Sequence, residues 1–186
     1  MDTKAYIIET STELFQQKGY KNVGLSEILK ECKISKGSFY HHFPMGKEEL
    51  LIACLENLNE SIINDIEEIF KRYSSTKEAI KTVIEKLIND FDREGIITGY
   101  TFSSIVSEMS SFGDSVREAC SRLYKGIQNI YLKKLIEDGF SDDMAYSISL
   151  IITTSIEGGL MLCQTEKSSN PLKTISNTLP NLLKEF

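Results

Sequence analysis

Apolar residues recur every three or four positions along most of this chain, which is the spacing of one face of an α-helix. The longest such stretches run from Lys47 towards Arg72, from Thr76 to Arg93, and from Ser141 to Leu162. No stretch alternates apolar and polar residues in the way that a half-buried strand does. The pattern predicts an all-α fold of about nine helices without a sheet.

The overall composition is that of an ordinary globular protein, with 41% hydrophobic and 26% charged residues. No run of apolar residues approaches the ~18 that are needed to span a bilayer. The N-terminal sequence MDTKAYIIETSTEL carries acidic groups and lacks a small-residue cleavage site, unlike a signal peptide. We therefore expect a cytoplasmic protein with no membrane partner.

Cysteine and histidine spacing argues against a metal site. The cysteines are scattered without a C-x-x-C pair, which makes zinc or disulfide the weaker interpretation of Cys32, Cys54, Cys120 and Cys163. His41 and His42 are adjacent, and neighbours on a helix point about 100° apart, so they cannot share one ion. The sequence also shows no Ser/His/Asp set and no phosphate-binding loop. We expect no metal, no cofactor and no catalytic residue, which favours a binding protein over an enzyme.

The most informative segment is VGLSEILKECKISKGSFYHHF, residues 23–43. Its apolar residues are spaced to face inward from two short helices and the turn between them: Ile28, Leu29, Cys32, Ile34, Phe39 and Phe43. Ser26 and Ser35 are predicted to cap the two helices, and the second helix ends before Pro44. Two short helices joined by such a turn are typical of a helix-turn-helix, whose second helix enters the DNA major groove.

The outer surface of this segment carries groups that suit DNA. The predicted contacts are Ser26, Lys36, Gly37, Ser38, Tyr40, His41, His42 and Lys47. Lys36 can reach a guanine edge or a phosphate, and Gly37 lets the backbone approach a base closely. Tyr40 and the imidazoles can donate to phosphate oxygens, although half-buried core packing is an alternative for Tyr40. Lys47 adds an ammonium at the start of the next helix.

Charge is distributed unevenly along the chain, whose formal net charge is −6. Residues 1–48 contain seven lysines and six acidic residues, a net charge of +1, which leaves −7 for the remainder. The asymmetry is modest, but it places DNA contact at the N-terminal end and an acidic body away from the phosphates.

Four segments together resemble the TetR family of transcriptional regulators: FQQKGY (15–20), LSEIL (25–29), ISKGSFYHHF (34–43) and KEEL (47–50). Lys33 departs from the family pattern, because Gly usually stands at this turn position, and Lys33 must therefore adopt or avoid a left-handed backbone. Met45-Gly46 adds one residue before Lys47. This insertion, Gly24-Leu25 and Ile156-Glu157-Gly158-Gly159 are similar to the LmrA/YxaF branch of the family.

The resemblance implies a helix-turn-helix DNA-binding domain over residues 1–46 and a helical ligand-binding and dimerisation domain over 47–186. It implies a homodimer that binds a pseudo-palindromic double-stranded operator. The helix after Ser141 is apolar on more than one side, which indicates burial against something beyond its own core. We expect a dimer interface there, and plain core packing is the alternative. The predicted interface residues are Ile148, Ile152, Ser155 and Gly159.

The resemblance also implies a small hydrophobic or aromatic effector. Aromatic and Met residues near the glycine-punctuated break after Arg93 can line an apolar pocket, with core packing again the alternative. The predicted pocket residues are Phe91, Phe102, Met109, Tyr131 and Met161. An uncharged aromatic ligand is favoured over a cation, because surface carboxylates are usually just solvated.

Two functions remain open at this point. The favoured one is a repressor that a ligand releases from its operator. The helix from Lys47 to Arg72 then joins the DNA-binding domain, residues 1–46, to the rest of the helical domain, and we call these two parts the head and the body. The alternative is a DNA-binding dimer with no small-molecule effector, regulated by a protein partner.

Overall fold

The computed structural model describes residues 2–95, 105, 106, 110 and 112–182. Within these residues the chain forms eight helices and no strand, which confirms the all-α prediction. The predicted short segment from Tyr100 to Met109 lies mostly outside the described residues. The helices are α1 (Thr3–Lys18), α2 (Leu25–Glu31), α3 (Lys36–His42), α4 (Lys47–Arg72), α5 (Thr76–Glu94), α6 (Asp114–Glu137), α7 (Asp142–Glu166) and α8 (Asn170–Leu182).

One of the two predicted N-caps in the helix-turn-helix is confirmed. The Ser35 hydroxyl accepts a hydrogen bond from the Ser38 N–H at 3.1 Å, as expected at the start of α3. Ser26 is not a cap, because α2 already begins at Leu25 with Gly24 in the capping position. Gly24 supplies an extended backbone but no side-chain acceptor, so the first turn of α2 is not capped by a side chain.

The described residues group into two compact units. The first contains Met1–Ser61 and Thr101–Arg122, and the second contains Ile62–Tyr100 and Leu123–Phe186. Contacts therefore place the first part of α4 with the N-terminal helices. The predicted boundary between a DNA-binding domain over residues 1–46 and a second domain over 47–186 separates functions, whereas these units are defined by contacts. That boundary stays a prediction.

The first unit has a core of large apolar side chains from α1, α2, α3 and α4. Phe39 and Phe43 lie one turn apart on α3 with ring centroids 5.5 Å apart, and both are buried. Cys32 and Ile28 are buried as predicted, whereas Leu29 and Ile34 are half-buried. Further members of this core are Ile7, Phe15, Val23, Leu50, Leu51 and Leu55.

In the second unit, α8 packs on both α5 and α7. A Cβ atom on Gly159 would lie 2.5 Å from Ile175 Cδ1 and 2.9 Å from Leu172 Cδ2, so this glycine allows α7 and α8 to approach closely. Phe70 and Tyr131 pack with ring centroids 5.4 Å apart. Burial raises the pKa of the Tyr131 hydroxyl far above its ordinary value.

Helix α7 is long and apolar enough to cross a membrane by length and composition alone, with a mean hydropathy of 1.4 in its most apolar window. That window is 39% buried inside the protein. The core helix of a soluble protein meets the same test, so this helix is weak evidence for a membrane span.

Among the described residues, three helices end in a Schellman arrangement, in which a backbone N–H just beyond the helix donates to the carbonyl five residues earlier. In α2 the Ile34 N–H donates to the Leu29 carbonyl at 3.1 Å, and α6 and α7 carry the equivalent bond. The residue just after each of these helices must take a positive φ, and after α6 that residue is a glycine, Gly139. It is Lys33 (φ 54°) after α2 and Lys167 (φ 50°) after α7. Of the two alternatives for Lys33, to adopt or to avoid the left-handed backbone, the structure therefore shows the first.

Replacing either lysine by glycine is expected to stabilise the protein. A left-handed backbone costs an L-residue roughly 1–2 kcal/mol, and glycine gives back roughly 0.5–1 kcal/mol in chain entropy. Lys33→Gly and Lys167→Gly should each raise the free energy of unfolding by up to about 1 kcal/mol in denaturant titrations. Lys33→Ala and Lys167→Ala keep the Cβ atom and serve as controls with no gain. An equal gain from alanine would trace the effect to the lysine charge and contradict the backbone explanation.

Candidate DNA-binding site

The third helix presents one apolar and one polar face, as its residue spacing predicts. Lys36, Gly37, Tyr40 and His41 are exposed, and Phe39 is buried. The remaining two predicted contact residues of this helix, Ser38 and His42, are half-buried. The face is thus arranged as a recognition helix, and contact of each residue with DNA stays a prediction.

Tyr40 is held at the surface by contacts with its neighbours. Its side chain is 41% exposed, which excludes the alternative of half-buried core packing. Its ring meets Phe39 edge-on at 5.4 Å, and the Lys36 ammonium lies 5.9 Å from its centroid. The ring therefore packs against Phe39 and stays exposed at the surface, and donation of its hydroxyl to a phosphate stays a prediction.

Gly37 has no packing requirement for glycine in the isolated protein. A Cβ atom there would meet only the Ser35 hydroxyl oxygen, at 3.8 Å, which is an ordinary contact. Its φ is not in the left-handed region. Packing within the folded chain therefore does not require glycine at this position, and close approach of its backbone to DNA stays a prediction.

Lys47 has a structural role that the sequence did not predict. Its ammonium donates to the Tyr20 and Val23 carbonyls, both at 2.7 Å, and lies 3.9 Å from the Tyr20 ring centroid. Burial lowers the pKa of this lysine below its ordinary value. With two of its three N–H donors used internally, Lys47 ties the start of α4 to the α1–α2 loop, and we expect it to make no phosphate contact of its own. The sequence did not signal this, because the acceptors are main-chain carbonyls far away in the chain.

The predicted ligand-pocket residues do not form one described site. Phe91 and Tyr131 are buried in the second unit. Phe102 and Met109 lie outside the described residues. Met161 was wrongly placed in a pocket, because it projects from α7 and is 57% exposed.

A groove of about 510 Å³ lies in the second unit between α4 and α6, and it contains none of the predicted pocket residues. It is lined by Ile63, Glu67, Phe70, Lys71, Gly126, Asn129, Ile130, Lys133, Lys134 and Glu137. The groove is open and largely polar at its rim, where Lys71 pairs with Glu67 and Lys134 pairs with Glu137.

The predicted dimer-interface residues lie mostly on the buried face of α7. Ile148, Ile152 and Gly159 are buried within the protein itself, and Ser155 is half-buried. A second row, displaced around the helix, is exposed and still rich in apolar groups. We call it the α7 face; it consists of Leu150, Ile151, Thr154, Gly158, Met161 and Leu162. Both rows follow helical spacing and both are apolar, so the sequence pattern could not decide which one faces inward.

The fold and the recognition helix define a one-component DNA-binding regulator, and comparison with known proteins agrees. Residues 7–54 match the description "Bacterial regulatory proteins, tetR family". Residues 76–178, more than half of the chain, match "Transcriptional regulator LmrA/YxaF-like, C-terminal domain". The chain therefore belongs to the TetR family of transcriptional regulators, and its C-terminal domain is of the LmrA/YxaF-like type. Membership of this family makes it a DNA-binding regulator and not an enzyme.

Two relatives from Bacillus subtilis (strain 168) are similar over nearly their full length. The transcriptional regulator LmrA is 36% identical, over 98% of this chain and 97% of its own. YxaF, an HTH-type transcriptional regulator, is 34% identical, over 99% of this chain and 96% of its own.

Solved structures show the same fold. The reduced form of Escherichia coli NemR superposes with a TM-score of 0.86 at 24% identity and covers 97% of both chains. Bacillus subtilis FadR in complex with stearoyl-CoA gives a TM-score of 0.72 at 22% identity and covers 96% of both.

Substitutions on the exposed face of α3 should separate DNA binding from folding. Gly37→Glu places a carboxylate against the phosphates and should weaken operator binding strongly, while thermal stability stays nearly unchanged. Gly37→Ala is the matched control for the free protein, in which it fits without displacement. Tyr40→Phe removes a phosphate donor and should cost ~1–2 kcal/mol of binding. Fluorescence anisotropy with a duplex selected from a random library by the wild-type protein provides the measurement. Parental affinity in both Gly37→Glu and Tyr40→Phe would show that the recognition helix is misassigned.

Replacing Lys36 and replacing Lys47 should change the salt dependence of operator binding differently. Each phosphate contact contributes a slope of about −0.9 to log K against log salt. Lys36→Met should make the slope shallower by about 0.9 for each head. Lys47→Met should leave the slope unchanged but lower the free energy of unfolding by about 2 kcal/mol, because it removes charge-assisted hydrogen bonds. A shallower slope in Lys47→Met with unchanged stability would return this lysine to the DNA surface.

Proposed function

We propose that this protein is a homodimeric, cytoplasmic repressor that leaves its operator when a small hydrophobic or aromatic ligand binds to the helical body. The observation that carries the proposal is the exposed face of α3 on a chain whose C-terminal half is LmrA/YxaF-like. Two similar proteins support the repressor part and the ligand part of this proposal. NemR of Escherichia coli, 27% identical over 139 residues, is named a transcriptional repressor, and FadR was solved with stearoyl-CoA.

The dimer part of the proposal rests on the α7 face. Ile151 is 47% exposed and Leu162 is 50% exposed, although both are large aliphatic side chains. Thr154 and Gly158 lie between the larger residues and leave room for a second helix to approach closely. A twofold-related copy of the same face supplies an apolar surface of matching size, since a twofold interface is self-complementary. Two heads held ~34–36 Å apart can then occupy successive major grooves on one side of the duplex.

A charge placed in the α7 face should dissociate the dimer. Ile151→Asp is expected to give monomers in sedimentation velocity at micromolar concentration, because a buried carboxylate without a partner is costly. Ile136→Asp is the matched control, since Ile136 on α6 is 41% exposed but lies outside the α7 face. The control should sediment like the parent. A wild-type protein that is already monomeric at this concentration would contradict the dimer.

Release from the operator requires a ligand that distinguishes two states. The ligand must bind the DNA-incompetent state more tightly, because equal affinity for both states shifts nothing. The buried residues Phe91 and Tyr131, together with Phe102 and Met109, remain the proposed lining. An apolar lining of this kind favours an uncharged aromatic compound over a cation.

Calorimetry and operator titration together test the release step. A panel of flavonoids and a panel of cationic drugs are titrated into the wild type and Phe102→Ala, and operator affinity is then measured with the tightest binder. We expect an uncharged aromatic compound to bind, to bind Phe102→Ala more weakly, and to lower wild-type operator affinity about 5- to 150-fold. A compound that binds in the micromolar range but leaves operator affinity unchanged would refute the switch and favour regulation by a protein partner.

A further inference from the structure

A stretch from the C-terminal half of the sequence belongs to the DNA-binding unit. Thr101–Arg122 groups with Met1–Ser61, although it lies inside the LmrA/YxaF-like match over residues 76–178. Val116 and Ala119 on the first turns of α6 have no exposed surface, and Cys120 is 2% exposed. These side chains are thus part of the core on which the head is built.

Polar contacts hold the start of α6 against α4. The Asn59 side-chain amide donates to the Ala119 carbonyl at 3.2 Å, and Arg122 pairs with Glu56 at 2.9 Å. Next to α6, a Cβ atom on Gly113 would lie 3.1 Å from a Glu48 carboxylate oxygen. Gly113 therefore lies directly beside the first turn of α4, where Lys47 lies.

Phe112 reaches from this point to the α1–α2 loop. Its ring meets the Tyr20 ring edge-on, with centroids 5.2 Å apart. Tyr20 also packs on Phe15 of α1 at 5.3 Å and carries the Lys47 ammonium over its ring. Residues 24–46, which include α2 and α3, thus lie between Val23 and Lys47. The Lys47 ammonium joins these two ends by donating to the Val23 carbonyl, and it also lies over the Tyr20 ring.

We propose that Phe112 is a positioning residue for DNA recognition, which holds Tyr20 and, through Lys47, keeps the two ends of the helix-turn-helix in the arrangement that the operator requires. The inference depends on DNA binding alone and not on ligand release. An edge-to-face aromatic pair is worth enough to change an equilibrium about two- to tenfold. Apparent operator affinity falls by the fraction of heads that lose the competent arrangement.

The first experiment compares two aromatic contacts of similar geometry. Phe112→Ala removes the contact at Tyr20, and Phe70→Ala removes the Phe70–Tyr131 contact in the other unit, where Phe70 is only 6% exposed. Phe112 is half-buried, so Phe112→Ala should lower the melting temperature less than Phe70→Ala does. Affinity for the selected operator duplex should fall about two- to tenfold for each head in Phe112→Ala and should not fall in Phe70→Ala. Phe112→Tyr keeps the ring and should restore affinity.

The second experiment shows whether Phe112 acts through Tyr20. Tyr20→Leu is combined with Phe112→Ala in a double-mutant cycle on operator affinity, with melting temperatures measured for all four proteins. Phe112→Ala should cause no further loss once Tyr20 is leucine. Additive losses, an affinity loss that simply follows the melting temperature, or parental affinity in Phe112→Ala would each overturn the proposal. Because the wild type must bind the selected duplex in every series, failure of DNA binding itself is recognised separately.

Discussion

The ammonium of Lys47 closes the helix-turn-helix into a loop, and the recognition surface depends on that closure. The cation gives up part of its hydration at this position, which is why its pKa is lowered. Two carbonyl oxygens at 2.7 Å and the face of the Tyr20 ring at 3.9 Å replace the lost water. Charge-assisted hydrogen bonds are stronger and shorter than neutral ones, so a single side chain can fix both ends of the segment that carries α3.

Local sequence signals predicted the helices well, because helix spacing and capping are properties of neighbouring residues. The bounds of α4 agree at both ends with the apolar run from Lys47 to Arg72. The N-cap at Ser35 was also predicted from its place in a short motif. The motif identified Lys33 as the residue at the left-handed position but left open whether Lys33 adopts that backbone. Ser26 failed as a cap because Gly24, one residue before the helix, competes for that position and the spacing alone cannot rank the two.

Tertiary contacts were predicted less well, because they depend on which residues from distant parts of the chain come together. Lys47 was assigned to phosphate contact on its place at a helix start, but its acceptors belong to Tyr20 and Val23. The sequence pattern indicates the apolar surface of α7, but the predicted interface residues fall mostly on its buried row. A Cβ atom added to Gly159 would collide with α8, whereas one added to Gly158, its immediate neighbour, would meet nothing within 4 Å. A difference of one residue on a helix turns a side chain by about 100°, which composition cannot resolve.

The noncontiguous make-up of the DNA-binding unit limits how this regulator can be recombined. A chimera that joins residues 1–46 to the body of another family member would retain the whole recognition helix. It would lose the buried residues that α4 and the start of α6 contribute to the same unit, among them Leu50, Leu51 and Val116. Transplanting the operator preference of this protein therefore means grafting two separate stretches, Met1–Ser61 and Thr101–Arg122, as one piece of architecture.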